Sequence, residues 1–186
     1  MQAFQTFHTV LYLSCLFLLS GMLGGCTPPK EENIGEDIGT YLKKKKSWQE
    51  TEGRINAAIE IARRDQFVHD DLIINVLSPF VGVAEEHVRT LEEYLPKTPP
   101  VSNIHQQYTE GWRAHQFALA ALVDSAERQD YVQLATAHTN LLQAQGAVLN
   151  TVATLTQLAE QAGVIEPTLV EEAASSSSTS GEILVQ

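Results

Sequence analysis

The sequence predicts an all-α chain, an antiparallel up-down four-helix bundle with a disordered N-terminal tether and C-terminal tail. Apolar residues recur at steps of three and four from Ile38 to Ala159, the spacing of one helix face. Pro, Gly and capping residues cut that rhythm into four segments. No segment alternates with the period of two of a half-buried strand, and the β-branched run Ile73-Ile74-Asn75-Val76 falls inside a helical period. Long helices joined by short connections pack antiparallel. At roughly 25 to 33 residues each they are about 40–50 Å long, enough stripe to build a core without metal or disulfides.

The first helix is read from Ile38, Tyr41, Lys45, Trp48, Glu52, Ile55, Ile59 and Ala62, where only Lys45 and Glu52 interrupt an apolar or aromatic stripe. The second is expected from about Asp70 to Leu95, with Ile73, Val76, Phe80, Val83, Val88 and Leu91 inward. Ser78-Pro79 inside it reads as a kink or a fresh start, because a proline removes a backbone donor. Pro96, Pro99 and Pro100 stop it. Ser102 is the candidate N-cap of the third helix, which carries Ile104, Tyr108, Trp112, His115, Leu119, Leu122 and Ala126 to about Arg128. Asp130 reads as the N-cap of the fourth, whose stripe runs from Tyr131 through Leu134, His138, Leu141, Gln145, Val148, Val152 and Leu155 to Ala159. Gly163 fits its C′ position, where a left-handed residue closes a helix.

The 186 residues hold 12 Lys+Arg against 23 Asp+Glu, a net charge of −11. That length suits one domain with tails, and the missing positive surplus argues against a nucleic-acid partner. The two cysteines, Cys15 and Cys26, both lie near the N-terminus. A disulfide framework and a four-thiolate zinc site are therefore excluded.

Val10 to Leu23 is an apolar run of fourteen residues, short of the roughly 20 that a membrane-spanning helix takes. It has the shape of a secretory signal core, although the lead MQAFQTFHT carries no Lys or Arg. It ends in Leu23-Gly24-Gly25-Cys26, which resembles the lipobox of bacterial lipoprotein precursors. The two glycines leave the backbone accessible to a peptidase, and the Cys26 thiol is the nucleophile that accepts a diacylglycerol. The resemblance covers residues 1–26 and implies cleavage between Gly25 and Cys26, with S-diacylglycerol and N-acyl groups on Cys26. Each buried methylene contributes about 0.8 kcal/mol, so two or three chains anchor the protein firmly. Thr27 stands where an Asp would signal inner-membrane retention. The resemblance thus implies the outer membrane, facing the periplasm, or the outer face of a single membrane. Cys15, Met1 and Met22 would leave with the signal, which excludes thiol catalysis, Cys-based redox work, Met-rich copper binding and c-type haem attachment.

The expected organisation is a signal peptide over residues 1–25, the lipidated Cys26 and tether over 26–36, the bundle over 37–163 and an acidic, Ser-rich tail over 164–186. The tail's Ser175–Gly181 stretch cannot bury enough apolar surface to offset its ordering entropy. The apolar Ile183-Leu184-Val185 at its end reads as a docking tag or a frayed terminus.

His87, His115 and His138 fall on or beside the stripes and are the candidate metal or haem ligands. Counted from the loops, neighbours differ by about five residues, or about 7 Å along the bundle, whereas ligands crowd within about 2.1 Å of one ion. Hydrogen-bonded boundary histidines are the simpler reading. Lys43, Lys44, Lys45 and Lys46 form a basic turn that either touches anionic lipid head groups or is a solvated face, with Lys45 snorkelling from the stripe. Trp48, Trp112, Tyr108 and Tyr131 read as core aromatics, and Glu85-Glu86 and Glu92-Glu93 as exposed surface. No phosphate loop, zinc-protease or nucleophile-elbow motif occurs. The expected role is a lipid-anchored, non-catalytic binding or adaptor module of the cell envelope, without a cofactor, held near an envelope protein. A metal- or haem-binding bundle comes second and an enzyme of unrecognised type third.

Overall fold

The computed structural model describes residues 33–63 and 69–164. Cys26 with its lipobox, the residues before Asn33 and the tail from residue 165 lie outside this range. The described residues form four helices, α1 Ile34–Arg63, α2 Asp70–Glu92, α3 Pro99–Glu127 and α4 Tyr131–Gln161. No strand occurs among the described residues. The chain is an all-α four-helix bundle. α3 is its spine, packing most extensively against α4 and next against α2, while α1 lies on α2. Tyr41 of α1 meets His105 near the start of α3, and Gly35 lies against Ala162 and Val164 past the end of α4. Successive helices therefore alternate in direction.

All seven residues of the α3 stripe, from Ile104 to Ala126, are buried, which is why α3 can serve three neighbours at once. On α2 the inward face is turned slightly from the expected one. Ile73, Leu77, Ala84, His87, Val88 and Leu91 are buried, and Val76, Phe80 and Val83 pack half-buried at its edge. α3 and α4 approach closely where Gly111 lacks a side chain, since a Cβ there would sit 2.9 Å from Val148 Cγ2.

The helix ends explain the boundaries. Asn33 Oδ1 accepts from the backbone N–H groups of Gly35 and Glu36, so α1 starts at Ile34, inside the stretch expected as tether. α2 runs unbroken through Pro79. No second N-terminus forms there, and Ser78 Oγ is buried without a protein partner rather than acting as a cap. α3 begins at Pro99, three residues before the expected Ser102, with Thr98 as N-cap. The two prolines occupy the first turn, where their missing donors leave nothing unpaired. Asp130 caps α4 as expected, accepting from Gln133 N at 3.1 Å.

α3 and α4 close with the same device. The Val164 N–H bonds the Ala159 carbonyl and the Gly163 N–H that of Glu160, with Gly163 at φ 67°. The Asp130 N–H likewise bonds Ser125 and the Gln129 N–H bonds Ala126, but the left-handed residue there is Gln129, at φ 55°. A side chain in that conformation costs roughly 1–2 kcal/mol. Gln129→Gly is therefore expected to raise stability by about 0.5–1 kcal/mol after the added unfolded-state entropy is deducted, read as a higher urea midpoint at unchanged slope.

Candidate functional site

α1 carries two carboxylates inward, and both are buried. Asp37 reaches the start of α3. Its Oδ2 accepts from Thr98 N and Thr98 Oγ1, each at 2.8 Å, and from Lys97 N at 3.1 Å. A negative group there meets the unpaired donors and the positive end of the helix dipole. At the same level His105 closes the end of α2. A carbonyl only accepts, so His105 Nε2 donates to Leu91 O at 2.9 Å. Nδ1 is then the acceptor for the Tyr41 hydroxyl at 3.2 Å. Tyr41, Trp48, Tyr94 and His105 pack around one another with ring centroids 5.4–6.0 Å apart, the separation at which edge-to-face and offset contacts are favourable.

The second carboxylate, Glu52, sits deeper. The Tyr108 hydroxyl donates to its Oε1 at 2.6 Å, Lys45 Nζ stands 3.7 Å from its Oε2 and His87 Nε2 stands 3.4 Å from Oε1. The ammonium of Lys45 also lies 5.2 Å from the Tyr108 ring centre. Burial alone would raise the Glu52 pKa, but the contacts from His87 and Tyr108 and the charge of Lys45 outweigh it and hold the carboxyl below its usual value. Tyr108 is pushed far up by burial and by the Glu52 charge, so its hydroxyl stays a donor.

Below this layer His87 and His115 both pack on Trp112, His87 edge-on at 4.7 Å and His115 flat at 4.8 Å. The structure thus brings two of the three candidate histidines to one indole. His138 lies on α4, half-buried. Among the described residues no group of three His, Cys, Asp or Glu side chains could hold a metal ion. Burial, and then repulsion from His87 and Arg63, lowers the His115 pKa from 6.5 to about 4.

The polar layer opens outward through one groove of about 430 Å³ between α1 and α2. Trp48 and His87 line it from the core side, Lys44 and Glu86 from the two helices. Gly82 leaves it open, since a Cβ there would meet nothing within 4 Å. His87 Nε2 is buried without a hydrogen bond, its approach to Glu52 Oε1 being 3.4 Å. The Ser47 and Thr90 hydroxyls donate to carbonyls of their own helices, Lys44 O and Glu86 O. The groove therefore offers a cation and an anion beside the Trp48 and His87 rings, but no activated nucleophile.

The lysine turn divides. Lys43, Lys44 and Lys46 are exposed, whereas Lys45 points inward into the Glu52 pair instead of snorkelling to solvent. Trp48, Tyr108 and Trp112 are core as expected. Tyr131 is not. It is 61% exposed at the first position of α4, and its hydroxyl donates to Asp70 Oδ2 across the opening between α4 and α2. Glu85, Glu86, Glu92 and Glu93 are exposed surface. Asp37, Glu52 and His105 were not singled out by the sequence as site residues. For Glu52 the signal was present, because it and Lys45 are the two charges on an otherwise apolar stripe.

No protein-family model matches the chain, and no curated protein or solved structure matches it.

The titration of His115 has a sign that can be checked. The unfolded chain takes up its proton near pH 6.5 and the folded chain only near pH 4. The unfolded state thus binds more protons in that window, and stability falls as pH drops through it. A separation of that size corresponds to about 3 kcal/mol. Glu52 adds a further loss below pH 4.5. Urea midpoints measured from pH 7 to pH 4 are expected to fall steeply in the wild type and less steeply in His115→Phe. An equal slope in the two would contradict a buried neutral His115.

Proposed function

We propose that this chain is a bacterial lipoprotein, tethered through lipid on Cys26, and that it acts as a non-catalytic binding or adaptor module of the cell envelope. The anchor reading rests on Leu23-Gly24-Gly25-Cys26. No described helix is long and apolar enough to cross a membrane, which is compatible with attachment by lipid. Thr27 favours the outer membrane with the bundle in the periplasm, or the outer face where there is a single membrane. The binding reading rests on the groove over Trp48 and His87.

Several features support binding over turnover. Glu52 is held as an anion by three neighbours and Tyr108 is locked as a donor, so neither is poised to exchange a proton near neutral pH. The groove walls are chemically mixed, with Lys44 on α1 and Glu86 on α2. That pairing suits short polar segments of an envelope protein, whose side chains would meet Lys44 and Glu86. The groove lies about 15–25 Å along α1 from Ile34, on the helix that follows the tether in sequence. Exposed Lys43, Lys44 and Lys46 flank it and would meet anionic head groups or an acidic partner.

Two substitutions separate the anchor from the binding face. Cys26→Ser is expected to abolish lipid labelling and release a folded bundle from membranes. Gly82→Leu is expected to fill the groove while leaving thermal stability at or above wild type, because the site is open and glycine is a poor helix residue by about 1 kcal/mol. Crosslinking in cells, followed by partner identification, should capture an envelope protein with the wild type and lose it with Gly82→Leu. Membrane retention of Cys26→Ser would overturn the anchor, and undiminished capture by Gly82→Leu would overturn the groove.

A further inference from the structure

The outer face of α4 is unlike the rest of the surface. From Tyr131 to Ala159 the helix contains no Asp, Glu, Lys or Arg, in a chain of net charge −11. Its outward residues Val132, Ala135, Thr139, Leu142, Gly146, Leu149 and Ala153 step by three and four, the repeat of a coiled-coil seam. Val132, Leu142 and Leu149 are 76%, 47% and 68% exposed. The rim residues Gln143 and Asn150 carry uncharged amides. At Gly146, as at Gly39, Gly53 and Gly82, a Cβ would meet nothing within 4 Å. Gly111, by contrast, is required by Val148. A helix-interior glycine costs roughly 1 kcal/mol relative to alanine.

We infer that this face pairs with the same face of a second copy, antiparallel, about a two-fold axis level with Ala144. In that register Leu142 falls opposite the partner's Gly146, Leu149 opposite the partner's Thr139 and Ala135 opposite the partner's Ala153. Large residues meet small ones and small meet small, and the pattern reads the same from either chain, as an isologous contact requires. Gly146 is then the notch that receives Leu142. Charge selects the same face. Two copies of strongly negative sign repel wherever their acidic surfaces approach within a Debye length of about 8–10 Å, and α4 is where that repulsion is least. The helix has 31 residues and so is about 46 Å long and about 10 Å wide. The two faces together bury at most about 900 Å², below the roughly 1,200 Å² at which stable interfaces begin, so the dimer is weak and reversible.

Sedimentation of the full chain in a density-matched detergent, over a range of concentrations, tests this. The wild type is expected to dimerise reversibly. Leu149→Glu, on an exposed position, is expected to weaken the dimer at least tenfold while leaving the helical circular dichroism unchanged. Gly146→Leu is the sharper variant. It adds apolar surface, so non-specific association or a parallel pairing would strengthen, whereas a filled notch weakens the antiparallel dimer at least tenfold. A wild type that stays monomeric, its α4 face covered by its own tail or kept for another protein, would overturn the proposal. So would a dimer that Leu149→Glu or Gly146→Leu leaves intact.

Discussion

An ionised carboxylate taken out of water is expensive to bury, and its removal from water is tolerated only where opposite charge and donors replace the lost hydration. α1 buries two. Asp37 finds its donors at the unpaired start of α3, and Glu52 finds Tyr108, Lys45 and His87. These contacts fix how α1 lies on α2 and α3. Sliding α1 by one turn, about 5.4 Å, would strand both carboxylates and uncap α3 together. An apolar stripe alone would resist such a slip less, because one leucine substitutes for another at modest cost. The groove inherits its shape from this constraint, since Trp48 and His87 are held in place by the same layer.

The molecule is correspondingly two-sided. On the α1–α2 side, the buried carboxylates meet donors and opposite charge while the indole nitrogens of Trp48 and Trp112 stay unpaired, and the surface between the helices is indented and polar. On the α4 side the helix carries no Asp, Glu, Lys or Arg from Tyr131 to Ala159, its inward face is mostly aliphatic and its outward face mixes apolar, small and amide side chains. α3 serves both, with Tyr108, Trp112 and His115 toward the polar layer and Gly111 toward Val148.

Much of the fold is legible in the sequence because local chemistry decides it. The α3 stripe needs only helical period, Asp130 needs only its donor three residues on, and Gly163 needs only its left-handed conformation. Where the reading departs, a distant residue intervenes. α3 starts at Pro99 because Thr98 is tied to Asp37, 61 positions away. α2 continues through Pro79 because packing on both sides holds the helix past a missing hydrogen bond. Tyr131 sits on a helical stripe yet is exposed, because it lies at the helix's first turn, beyond the reach of the core. The site was half visible. Lys45 and Glu52 on the α1 stripe announce a buried pair, but that Tyr108 and His87 complete it depends on helix rotation, which a single sequence does not record. Counting residues from loops does not record that His87 and His115 share Trp112, because that contact depends on how α2 is rotated against α3.

The ionisation of Glu52 within the bundle is the central claim, and carboxyl carbon NMR of the glutamates, with Glu52 assigned through Glu52→Gln, measures it directly. The expected result is a titration midpoint below the ordinary 4.5, held there by His87, Tyr108 and Lys45 against the opposing effect of burial. A midpoint above 4.5 would mean that burial prevails, that Glu52 enters the core protonated, and that the charge network does not hold α1 in place.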